Sequence, residues 1–77
     1  MSTRLPRVTG DQVPRALQRA GWYVHRQRGS HVALLHEGKP GWRVTVAVHA
    51  GEVIAPKTLQ SILEQAGLTA DELRRLL

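Results

Sequence analysis

The apolar positions of this chain recur with two different periods, and the switches between them divide it into six elements. Val13, Ala16, Leu17 and Ala20 fall at i, i+3, i+4 and i+7, which gathers one apolar stripe on a helix, and Gly21 supplies its stop. Pro14 limits where that helix begins, because proline brings no N–H to an interior position. With Asp11 as N-cap, Pro14 falls in the first turn, where that N–H has no partner anyway. With Thr9 as N-cap and Gln12 closing a capping box, one hydrogen bond is lost. The sequence permits both.

From Trp22 the period shortens. Residues 22–28, WYVHRQR, are rich in aromatic and β-branched types, and residues 31–37, HVALLHE, have the length of a strand. Gly29-Ser30 between them is a two-residue loop of the kind tight hairpins use, so His31 opens the second strand. Tyr23 and Val24 compete for the core, which leaves the facing of His25 open. EGKPG at 37–41 is a turn, and residues 42–49, WRVTVAVH, alternate Val44, Val46 and Val48 with Thr45, Ala47 and His49. The valines take the core face and His49 points away from it. Pro56 stands where a first helical residue belongs, and Leu59, Ile62, Leu63 and Ala66 restore the helical period until Gly67. Thr69 and Glu72 form a capping box that opens a last short helix docking Leu73, Leu76 and Leu77.

The predicted order is α-β-β-β-α with a short extra C-terminal helix. This is an α+β fold with a three-stranded antiparallel sheet, helices on one face and the other face open.

Length adds that the 77 residues make one domain, 1–77, with residues 1–8 expected to be flexible. A chain this short buries only roughly 60% of its unfolded surface, so a deep cleft is not expected. With no cysteine there is no disulfide framework and no thiolate metal site, a pattern that fits a cytoplasmic protein. No apolar run approaches the roughly 20 residues a membrane span needs, and MSTRLPR leads into no signal-peptide core. Eleven Lys and Arg against six acids give a net charge of +5. That balance favours a polyanion, nucleic acid first and an acidic protein second, although a solvated basic surface carries the same charge.

Candidate chemistry is sparse. Neither Rossmann nor P-loop glycine spacing occurs, and the two aspartates, Asp11 and Asp71, sit at helix starts where they cap. His25, His31, His36 and His49 lack metal-ligand spacing, so neither metal nor cofactor is expected. His25 and His36 read as packing or edge residues. His31 differs: it follows a turn, Arg26 and Arg28 precede it, and Gly29 and Ser30 leave the backbone accessible to a ligand. Histidine is the side chain suited to moving protons near neutral pH, and arginine forks hold phosphate. RNA supplies its own nucleophile, the 2′-OH, so one base with charge stabilisation suffices to cleave it without metal.

Gly29-Ser30-His31 after a basic strand, followed by RVTVAVHAGEVIAPKTLQSILEQAGLT from Arg43 to Thr69, resembles the HicA (YcfA-like) toxins, the mRNA interferases of HicA–HicB toxin–antitoxin pairs. The resemblance runs from about Thr9 to Leu77. It implies a fold like that of double-stranded-RNA-binding domains, metal-independent endoribonuclease activity on mRNA dependent on His31, and a HicB-like antitoxin as partner. His49 matches a second histidine common in the family. Ala47 stands where the family usually has proline and Lys57 where it commonly has glycine. On this reading His31 is the general acid or base, while Arg26, Arg28, Gly29, Ser30, Lys39, Arg43 and His49 contact RNA. The alternative is a double-stranded-RNA-binding module of the same fold that performs no chemistry.

Overall fold

A computed structural model describes residues 4–77. Helix α1 spans Gln12–Arg19, followed by strands β1 (Trp22–Arg28), β2 (His31–His36) and β3 (Val44–Ala47), then α2 (Pro56–Ala66) and α3 (Ala70–Leu76). The strands form one antiparallel sheet in the order β1-β2-β3. No helix among the described residues is long and apolar enough to cross a membrane.

The apolar periods become one core. Val13, Ala16 and Leu17 of α1 and Leu59, Ile62, Leu63 and Ala66 of α2 pack with Trp22, Val32, Leu34, Val44 and Val46, closing one face of the sheet. Leu73 of α3 completes the core, held by the capping box: the Glu72 N–H donates to the Thr69 hydroxyl and the Thr69 N–H to the Glu72 carboxylate. Leu76 packs at the margin, whereas Leu77 is 47% exposed, because α3 ends before it.

The start of α1 combines features of both predicted caps. The helix begins at Gln12, so Pro14 lies in its first turn, and the Thr9 N–H donates to the Gln12 side chain at 2.8 Å. Asp11 precedes the helix without capping it and accepts from the Gly51 N–H instead. Of the segment before α1, Met1–Thr3 lie outside the described residues. Leu5 packs against the core and Val8 is buried in it, its carbonyl accepting from the Ile54 N–H.

Two departures from simple alternation matter. β3 covers four residues rather than eight, because β2 begins at His31 and has no residue to pair with Val48 and His49, and at the other end Trp42 lies against Gly67. The Val48 N–H still reaches the Ser30 carbonyl, at 2.6 Å, but Ser30 already belongs to the turn. In β1 the register with β2 slips between Val24 and Arg26, leaving His25 as the extra residue of a bulge.

Candidate active site

The bulge decides which side chains share the open face. Residues directly opposite in an antiparallel ladder lie on the same face, so Tyr23 joins Leu35, Arg26 joins Ala33, and Arg28 joins His31. Across β2, His31 pairs with Ala47 and Ala33 with Thr45. Counting by twos from the buried Trp22 would put Arg26 and Arg28 on the core face. The extra residue at His25 moves both to the open one.

His31 is fixed from two sides. The Gly29-Ser30 turn has φ +58° at Gly29 and a negative φ at Ser30, the pattern that suits glycine at the first central position of a tight hairpin. The Gln27 amide donates to the Gly29 carbonyl and the Val48 N–H to that of Ser30, which ties the turn to both neighbouring strands. The His31 ring itself is exposed and makes no hydrogen bond among the described residues.

Around it lies a shallow depression of about 160 Å³ lined by Arg26, Arg28, His31, Ala33, Arg43 and Thr45. Ala33 forms its floor, small enough to let a ligand backbone approach the sheet. None of the three arginines has an ion pair or side-chain hydrogen bond among the described residues. No acidic residue falls within β1, β2 or β3; all six acids lie on the helices or in the loops and turns. Three uncompensated guanidinium groups around a histidine form a site of positive potential that suits a phosphodiester.

The other predicted contacts lie elsewhere. Lys39, in the turn after β2, donates to the Ala66 carbonyl at 3.3 Å and sits 4.6 Å above the Trp42 ring, so its charge closes the C-terminal end of α2. His49 lines a separate cavity of about 220 Å³ with Ala47, Glu52, Val53 and Thr58, which shares no residue with the first. Gly10 runs so close beneath the His49 backbone that a Cβ there would lie 2.8 Å from its nitrogen. His36 is a packing residue: Gly38 donates to Nδ1 at 3.0 Å, Nε2 lies 3.0 Å from the Ala20 carbonyl, and the ring meets Trp22 edge-on at 5.3 Å. His25 projects from the bulge and is exposed. Ala33 and Thr45, not singled out from sequence, enter the site only through the register.

A three-stranded sheet backed by helices, with histidine and arginines on its bare face, defines a small basic α+β domain. The sequence model of the HicA toxin of bacterial toxin–antitoxin systems matches residues 10–68, and the chain belongs to that family. HicA proteins are the toxins of toxin–antitoxin pairs, generally endoribonucleases, and their partners are HicB antitoxins. A comparison with curated proteins finds no match.

Proposed function

We propose that this protein is a metal-independent endoribonuclease that cleaves mRNA with His31 as general acid or base, restrained by a HicB-like antitoxin. The observation that carries the reading is the placement of His31 among Arg26, Arg28 and Arg43 in one depression with no acid to neutralise it. The arginines hold the scissile phosphate and its neighbours along the strand and stabilise the charge that builds at the reacting one. A neutral His31 takes the proton of the adjacent 2′-OH, and the 2′ oxygen attacks phosphorus. The bond from phosphorus to the 5′ oxygen breaks, water on the open face protonates that oxygen, and the products are a 2′,3′-cyclic phosphate and a free 5′-OH. The nucleophile belongs to the substrate, so the step needs no metal-bound hydroxide. An acidic antitoxin surface laid on this face blocks it without a conformational change in the toxin.

The test is expression of the wild type and of His31→Ala in a host lacking the antitoxin, paired with cleavage of RNA by both purified proteins in EDTA. The His31 ring is exposed and makes no hydrogen bond among the described residues, so the variant is expected to fold. Growth arrest and cyclic-phosphate ends from the wild type alone support the reading. RNA bound but cut by neither protein, with or without Mg²⁺, leaves the binding-module alternative in its place.

A further inference from the structure

We propose that Tyr23 and Leu35 form a stacking shelf for an unpaired nucleobase, so that the site selects single-stranded RNA; the inference rests on the ribonuclease reading above. Tyr23 lies opposite Leu35 on the open face of the sheet, in the same face as Arg26, Arg28 and His31. Arg43, the residue before β3, lines the same depression as Arg26 and Arg28. The shelf is therefore an aromatic ring and a half-buried leucine on the face that carries the three guanidinium groups.

Single exposed apolar residues are common and need no function. Tyr23 is set apart from the others. It is 44% exposed, and its hydroxyl makes no hydrogen bond among the described residues. Trp42 is exposed to the same extent, but its ring is taken by the Lys39 ammonium at 4.6 Å and by Gly67 packed against its edge. Val24 lies opposite the buried Leu34, on the other face of β1, and Val53 and Leu77 lie outside the sheet. Among the described residues, Tyr23 is thus the aromatic ring left vacant beside the basic site.

The spacing suits a nucleotide chain. Leu35 lies four residues along β2 from His31, about 13 Å at the usual rise of a strand. Even at the duplex rise of ~3.4 Å per nucleotide that is about four nucleotides, and fewer in a stretched strand. A strand whose phosphate sits among the arginines at His31 can therefore lay a base a few nucleotides along on Tyr23. A duplex cannot, because its base faces are already stacked on one another, and its recognition runs through shape and backbone instead. Aromatic stacking tolerates any base, so the shelf selects for unpaired RNA rather than for a particular sequence.

The experiment titrates wild type, Tyr23→Phe and Tyr23→Leu with a short unpaired 2′-O-methyl oligoribonucleotide, which has no free 2′-OH and cannot be cut, and with its duplex. Leucine keeps apolar bulk on the strand but has no π face. The expected result is wild-type affinity for Tyr23→Phe, a roughly tenfold loss on the unpaired strand for Tyr23→Leu, and the same duplex affinity in all three. Equal binding of the unpaired strand by Tyr23→Leu and wild type overturns the shelf, as does an equal loss on both nucleic acids. A wild type that binds neither overturns the ribonuclease reading itself.

Discussion

If Arg26, Arg28 and Arg43 are the phosphate contacts, the salt dependence of RNA binding reports their number. Each phosphate neutralised on a single strand contributes a slope of about −0.7 in log K against log salt, so the three arginines lining the depression predict about −2.1. Raising salt from about 50 to 200 mM then weakens binding about 18-fold. Neutralising one contact, as in Arg28→Ala, reduces the slope to about −1.4 and the same salt step to about 7-fold. The control is Arg15→Ala: Arg15 is exposed on α1, on the opposite side of the sheet, where it borders a different cavity with Arg19. The assay is a fluorescence titration of a labelled, uncleavable oligonucleotide across a series of KCl concentrations. A slope that stays at the wild-type value in Arg28→Ala and falls in Arg15→Ala would place the RNA on the helical side and refute the open-face site.

Two further predictions concern the frame around the site. Gly21 has φ +97°, and a Cβ there would lie 2.6 Å from the His36 Nε2, the atom that bonds the Ala20 carbonyl. Gly21→Ala is therefore expected to cost more than about 1 kcal/mol and to lower Tm by at least about 4 °C; an unchanged Tm in a melting curve refutes the argument. At acid pH the capping box weakens. Glu72 is held below its ordinary value of 4.5 by the hydrogen bond from the Thr69 backbone and then by the Thr69 hydroxyl, and Asp11 below 3.8, chiefly by the Thr9 hydroxyl. A lowered native pKa means that the unfolded state binds more protons in this range, so the stabilisation is complete above the ordinary values and fades as pH falls through the lowered ones. Glu72→Gln keeps the cap acceptor without the charge, and urea midpoints between about pH 5 and pH 3 should fall less steeply for it than for the wild type. Parallel acid limbs would remove Glu72 from the account.

Much of the frame was legible because it depends on local chemistry. The residues predicted for β1 coincide with Trp22–Arg28, and Pro56, Gly67 and the Thr69–Glu72 box sit at the helix ends where their conformational preferences put them. The Gly29-Ser30 turn and the position of His31 at the start of β2 were equally local. What periodicity could not supply was anything decided by another part of the chain. Where β3 ends depends on where β2 begins, and the engagement of Lys39 depends on the end of α2 coming within reach of the β2–β3 turn. His49 is drawn into its own cavity by the segment from Val8 to Asp11, which bonds to the loop after β3. The faces of Arg26 and Arg28 were hidden in the same way, since alternation has no means of registering a bulge. The one local trace of it is that β1 carries no apolar residue after Val24, where a regular half-buried strand would go on alternating.

That bulge can be tested by removing residues, because two different deletions in β1 give opposite outcomes for the site. The turn fixes Arg28 opposite His31, and the other end is fixed by Trp22 opposite His36. Deleting His25 leaves a regular ladder in which every observed pair persists: Val24 opposite Leu34, Arg26 opposite Ala33 and Gln27 opposite Val32. Deleting Gln27 also leaves a regular ladder of the same length, but now His25 falls opposite Ala33 and Arg26 opposite Val32, on the core face. Gln27 is exposed at that position, so an arginine is tolerated there and both variants are expected to fold. They differ in which residue stands beside His31's cluster. Deletion of His25 should keep the wild-type salt slope, and deletion of Gln27 should lose about one phosphate contact, a change of about 0.7 in slope. Should the two variants bind RNA alike, the arginines do not act through the face that the bulge gives them. A loss confined to the His25 deletion would mean that the extra twist of the bulge, rather than the facing of Arg26, is what the site requires.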